Sequence, residues 1–365
     1  MNRRSSRSPA HLIVAAALAT ALVTGQAAAA KDTPTDAEPE EVVTIDFLQP
    51  LPKSMAFYPL FVGDVLGYFA EEGIEVNLLP SGDIPATVIV PSGQADIGAT
   101  TPTNIVQAAA AEEDFVLVYE YYQHNVVSIV VPADSDVETI ADLEGMTVGV
   151  TSEGAGDAAL ARAALQEVGL SPDDDVEIVV AGDGGPAVAE ALRGGRLDAF
   201  SGAINDIVAL QVAGIELREI TPDSFALYPA SSMIVRSGTL EEEADSITRF
   251  LRAWSKATYA GMLNRDMVFA IAEDEVPEET GDEEFGRIFL DLAIDLQTPV
   301  EGIDAFGSVR PDAWTVVQEA MVEGGELEEV FDPSTFLDDS LLADVNDWDR
   351  DEVESEVDAW AAENL

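Results

Sequence analysis

From residue 42 onward, short apolar runs alternate with amphipathic stretches, and the alternation runs through twice. In the first round, residues 42–48 (VVTIDFL), 74–79 (IEVNLL), 95–98 and 115–121 (FVLVYEY) have the β-branched and aromatic content of strands. Residues 57–69, 85–91 and 103–111 carry the helical period between them. Parallel strands need a crossover, usually a helix, so this order predicts a largely parallel sheet with helices on both faces. The second round repeats it. Strands are expected at 147–150 (TVGV), 176–180 and 197–200, and helices at 155–168, 186–193 and 205–212.

Two β-rich segments, 126–132 (VVSIVVP) and 231–236 (SSMIVR), flank the second round and are placed to serve as hinge crossovers. The fold class expected is therefore α/β in two lobes, each a mostly parallel sheet flanked by helices. Lobe one takes 42–130 plus 233–365, and lobe two takes 133–230. After residue 236 the pattern turns helical, at 241–262, 283–296 and 311–324, and 338–363 has the spacing of a terminal amphipathic helix. Chains beyond about 250–300 residues seldom hold a single core, which agrees with two lobes.

Residues 1–30 order a basic stretch (Arg3, Arg4, Arg7), an apolar run at 12–23 and small residues at 27–30. That order predicts a cleaved secretory signal peptide. The Arg3-Arg4 pair leaves the choice between the general and twin-arginine export routes open. Residues 31–41 (KDTPTDAEPEE) then form a flexible acidic leader. No cysteine occurs, so a lipid anchor at the cleavage site is not expected and disulfides are excluded. The mature chain is expected on the periplasmic or extracellular face.

Formal net charge is −53, and the segment's three arginines leave the mature chain more negative still. Lysine is confined to Lys31, Lys53 and Lys256. With 47% hydrophobic residues and a mean hydropathy of +0.11, the acidity reads as the surface of a folded, salt-adapted protein rather than as disorder. Nucleic acid is excluded as a partner, because its phosphates would be repelled.

Several segments resemble the solute-binding proteins of nitrate/taurine/sulfonate type, a group that includes the NMT1/THI5-like domain. They are YPLFVGDVLGYFAEEGIEVNLLPSG at 58–82, SGQADIG at 92–98, VPADSDVETIADLEGMTVGV at 131–150, GGRLDAF at 194–200 and FDPSTFLDDSLL at 331–342. Together the resemblance spans about 42–345. It implies the type II periplasmic-binding-protein fold and a monomer that captures a small solute by hinge closure and delivers it to an ABC permease. No catalysis and no cofactor are implied. The alternatives on the same fold are an enzyme (a THI5-like pyrimidine synthase or a menaquinone-pathway enzyme) or an exported sensory module.

Little in the chain can carry covalent chemistry. His11 and His124 are the only histidines, so no His triad or multi-His metal site can form. The acidic runs lack the glycine that a Ca²⁺ loop requires, and no metal site is expected. Gly154-Ala155-Gly156 precedes a predicted helix as a dinucleotide fingerprint would, but no acid ends the following strand. We read it as a helix start facing the cleft. Asp96 and Asp198 read as structural carboxylates holding backbone N–H groups.

Strand ends and helix starts supply the candidate ligand-binding set. In lobe one these are Lys53, Tyr58, Ser81, Thr101, Thr103, Tyr122 and Asn125. In lobe two they are Ser152, Gly154, Gly156, Asn205 and Asp206. A sulfonate or nitrate would need cations, and lobe two offers only Arg162, Arg193, Arg196 and Arg218. The segment 201–207 (SGAINDI) departs from the W-D-P-like pattern of sulfonate binders. Tyr58, Tyr121 and Tyr122 with Asp206 suit a planar, amino-bearing ring such as a thiamine-precursor pyrimidine.

Overall fold

A computed structural model describes residues 42–49, 53–79, 84–153, 155–172, 174–226, 228–323 and 325–365. The expected signal peptide (1–30), leader residues 31–41, and Ser81 and Gly154 lie outside the described residues. The first round comprises β1 (Val43–Leu48), α1 (Tyr58–Val65), α2 (Tyr68–Glu71), β2 (Ile74–Leu79), α3 (Ala86–Ile89), β3 (Ile97–Thr100), α4 (Pro102–Ala110) and β4 (Val116–Tyr119). The second comprises β5 (Val127–Pro132), β6 (Thr147–Val150), α5 (Gly156–Glu167), β7 (Glu177–Val180), α6 (Pro186–Arg193), β8 (Ala199–Ala203), α7 (Ile204–Val212) and β9 (Leu217–Glu219). The chain returns through α8 (Asp223–Ala226) and β10 (Ser232–Val235). It ends in α9 (Ser237–Leu263), α10 (Arg265–Glu275), α11 (Pro277–Thr280), α12 (Glu283–Gln297), α13 (Pro311–Glu323), α14 (Leu342–Val345) and α15 (Arg350–Asn364).

Two five-stranded sheets result, ordered β2-β1-β3-β10-β4 and β7-β6-β8-β5-β9. They are built alike: three parallel strands, one strand running against them, and an edge strand parallel to the first three. The reversed strand in each sheet is the one that has just crossed from the other lobe, so each sheet is mixed rather than purely parallel. The lobe boundary expected at residue 130 falls inside β5, whose Val127–Val130 pair with Ala203–Phe200 of β8. The whole strand therefore belongs to lobe two. Its period-2 pattern identified it as a strand but said nothing about its partner.

Each central strand is covered on both faces, which explains its continuous apolar character. In lobe one, Ile45 and Phe47 face the core built by α1, α9, α10 and α12, while Leu48 faces α3, α4 and α13. In lobe two, Val148 and Val150 pack under α5, and Val130 and Phe200 under α6 and α7. The predicted helix at 57–69 is two helices, because Gly67 stands at φ 86° and a left-handed residue ends α1.

The two G-x-x-D turns have matching roles. Asp96 accepts from the Asp46 backbone N–H at 2.8 Å, and Asp198 accepts from that of Thr147 at 2.9 Å. In both cases the aspartate's own N–H returns a bond to the same residue's carbonyl, at 2.9 Å. Each carboxylate thereby locks the register between neighbouring strands, which is the structural reading given to them.

Candidate ligand cleft

The topology brings two strand edges face to face. β4 runs to the carboxyl edge of sheet one, and after residues 120–126 the chain enters sheet two at Val127, opposite Ala203 at the carboxyl end of β8. On the return, β9 runs to the same edge of sheet two, and β10 enters sheet one at Ser232, opposite Thr100 at the carboxyl end of β3. The carboxyl ends of both parallel sets therefore flank the two crossovers. This is where open α/β sheets bind ligands.

Asn125 ties the crossovers together. Its Nδ2 donates to the Phe225 carbonyl at 3.3 Å, and its Oδ1 accepts from Val127 N–H at 3.0 Å. The side chain is thus a hinge fastener. Glu120, fully buried at the end of β4, accepts from the backbone N–H and Nε of Arg310, both at 2.9 Å, and from Trp314 Nε1 at 2.8 Å. Burial raises its pKa, against the pull of Arg310. With all these donors on it, this carboxylate anchors α13 at the base of the hinge.

Lobe two meets the cleft through the starts of α5 and α7. Ser152, Gly156 and Asn205 are exposed there. Asp206 is buried and spent on structure: it accepts from Gly184 N–H at 2.7 Å and Ala203 N–H at 3.1 Å. Gly184 is needed for that approach, since a Cβ on it would lie 2.2 Å from the Asp206 carbonyl oxygen. Asp157 does the same for α5, accepting from the N–H and Oγ1 of Thr151 at 2.6 and 2.8 Å. The free N–H groups of a helix start normally attract anions. Here both starts already hold a carboxylate.

In lobe one, Thr101 and Thr103 are exposed at the start of α4, and Thr101 makes no capping bond with its side chain. Three expected site residues are already engaged in structural contacts. Tyr58 has no exposed surface; its hydroxyl donates to the Thr258 carbonyl at 3.0 Å, and its ring lies on Gly261, where a Cβ would come within 2.3 Å. It packs α1 against α9, with its hydroxyl spent on that contact. Lys53 pairs with Glu275 at the end of α10, so its charge is already engaged. Tyr122 is buried, donates to the Ala56 carbonyl at 3.1 Å, and supports Tyr121, whose ring lies 4.7 Å away.

Gln49 escaped the sequence reading. It follows β1 at the carboxyl edge, is 1% exposed, and neither its amide oxygen nor its nitrogen has a partner among the described residues. Trp254 Nε1 is likewise buried and unpaired, with its ring 5.7 Å from Phe47 and 6.0 Å from Tyr121. Unmet polar atoms in a buried site are costly unless something binds them. The available signal was a lone amide closing an apolar strand.

The description "NMT1/THI5 like" matches residues 54–265. The riboflavin-binding protein RibY of Chloroflexus aurantiacus is 22% identical over 279 residues, covering 75% of this chain and 79% of that protein. The formylaminopyrimidine-binding protein of Halalkalibacterium halodurans is 24% identical over 199 residues, covering 53% of this chain and 59% of that protein. The periplasmic aliphatic sulphonate binding protein SsuA of Escherichia coli shares the fold, with a TM-score of 0.58 at 20% identity over 82% of this chain and 92% of that one. So does the desulfurization enzyme DszB, with a TM-score of 0.55 at 18% identity over 83% and 98%.

Proposed function

The chain belongs to the NMT1/THI5-like family and has the periplasmic-binding-protein fold, and from that premise we propose that it captures a neutral, pyrimidine-containing ring and delivers it to an ABC permease. The observation that carries the reading is the charge of the strand-end segments. Residues 49–54, 100–104, 119–126, 151–157, 181–185, 201–206 and 220–232 contain one cation, Lys53, which Glu275 engages. The same segments contain Glu120, Glu153, Asp157, Asp183, Asp206 and Asp223. A sulfonate or nitrate would enter this field against repulsion, and the neighbouring Arg310 guanidinium is already engaged by Glu120.

A ring with adjacent N–H and C=O groups meets no such penalty. The free amide of Gln49 offers one donor and one acceptor side by side, the complement of that edge. A bidentate amide pair of this kind discriminates by about 1–3 kcal/mol. The relatives named for riboflavin and for formylaminopyrimidine both bind molecules with a pyrimidine ring, which favours the same class. Capture would proceed by rotation of the lobes about the Asn125-tied crossovers, and the closed form would be what the permease receives. No bond is made or broken.

Calorimetry on the mature chain in molar salt tests the reading, with riboflavin, formylaminopyrimidine, taurine and nitrate as ligands. Stoichiometric binding of a pyrimidine-bearing ligand is expected, with no product formed. Gln49→Leu is expected to weaken it by about fivefold or more, in line with that 1–3 kcal/mol. Binding of taurine or nitrate alone would overturn the ring assignment, and turnover of any ligand would favour the enzymatic alternative.

A further inference from the structure

A cavity lies between the lobes, reaching from the crossover residues His124, Asn125 and Val126 along the side of sheet two. It is a groove of about 590 Å³ between α7 and β5 of lobe two and the last turns of α12 in lobe one. Val130 and Glu219 line it and face each other in the β5–β9 ladder, well inside the sheet from the edge residue Val127. The volume falls within the range of about 300–1,000 Å³ typical of small-molecule sites.

Its chemistry is one-sided. Ile207 and Val130 form an apolar floor, and Leu292 and Leu296 form the opposite wall. The hydroxyls of Thr221 and Thr298 and the Asn125 amide are bonded to the backbone, which leaves oxygen acceptors as the groups that distinguish the groove. Gln211 presents a buried Oε1 with no partner, and Glu219 adds an exposed carboxylate. Asp295 also lines the groove, held by Arg265. His124 contacts the Thr298 carbonyl at 3.1 Å, and burial lowers its pKa, so it supplies no positive charge near neutrality. An anion would meet Glu219 and Asp295 here. An ammonium group would meet the unpaired Gln211 oxygen and the exposed Glu219 carboxylate.

We propose that this groove is a second binding site, for a small amphipathic cation whose apolar part lies between Ile207 and Leu296 and whose ammonium is held by Gln211 and Glu219. Because α7 and α12 belong to different lobes, an occupant touches both at once and holds them at one angle. Val208 of α7 is already buried in the lobe-one core, so the contact is continuous with an existing apolar junction. The site does not depend on the identity of the solute in the cleft.

The test uses the mature chain and the probe 4-phenylbutylammonium, with 4-phenylbutan-1-ol as its uncharged counterpart. Titrations are run calorimetrically in 1 M NaCl, where general attraction to the acidic surface is screened. Saturable one-to-one binding of the ammonium is expected, with the alcohol at least tenfold weaker. Glu219→Gln and Gln211→Leu should each weaken the ammonium at least threefold, while Asp358→Asn, on the distant α15, leaves it unchanged. Circular dichroism establishes that each variant is folded. Non-saturable binding, equal affinity for the alcohol, or wild-type affinity in both groove variants would overturn the proposal.

Discussion

Single side chains in this protein divide by whether their polar atoms are spent. Asp206 is a candidate ligand group in the sequence, yet like Asp96, Asp198 and Asp157 it is committed to backbone N–H groups. Gln49 and Trp254 look unremarkable as letters and are among the residues that hold unpaired buried atoms. His124 allows a clean test of environment. Burial lowers its pKa below the usual value of about 6.5. The unfolded chain therefore takes up a proton at a higher pH than the folded one, and acidification through that window favours unfolding. The stability tied to His124 is complete above about pH 6.5 and declines as the pH falls toward its folded pKa. Melting curves at pH 7.5 and 5.5 should show a smaller acid-induced drop in His124→Gln than in the wild type. Equal drops would mean that the imidazole titrates as if exposed.

At the scale of elements, glycine marks where helices approach strands most closely. A Cβ on Gly98 of β3 would lie 2.7 Å from both the Ala86 Cβ and the Val90 Cγ2, so α3 can rest on β3 only without a side chain there. Gly149 of β6 is crowded in lobe two as well, by Leu197 Cδ1 at 2.9 Å from the turn before β8 rather than by a helix. Gly98→Ala should destabilise the protein by about 1–3 kcal/mol through overpacking. Gly156→Ala has open space around it and should cost little. Comparable melting temperatures for the two variants would show that α3 yields freely. Sequence patterning located most of these elements within a few residues, because a strand covered on both faces and an amphipathic helix have distinct periods. It missed the break at Gly67 and the partner of β5. A helix stop depends on one backbone angle, and a strand's neighbour depends on topology.

For the molecule as a whole, the dominant quantity is charge. With a formal −53, mutual repulsion opposes compaction at low ionic strength and is screened within a few ångström at molar salt. The melting temperature should therefore rise steadily from 0.1 to 3 M NaCl, and a flat or falling profile would remove the case for salt adaptation. The sequence by itself determined the two α/β rounds, the strand and helix identities, the exclusion of His and Cys chemistry, and the scarcity of cations at strand ends. These follow from composition and local period, which need no knowledge of distant contacts. The tertiary structure decided that β5 and β10 cross between sheets, that Tyr58 rests on Gly261, and that Gln49 is buried with its amide free. It alone joined α7 to α12 around the groove between the lobes. Each of these depends on residues far apart in the chain meeting in space, and the periodicity of a segment records which face is apolar but not which surface will cover it.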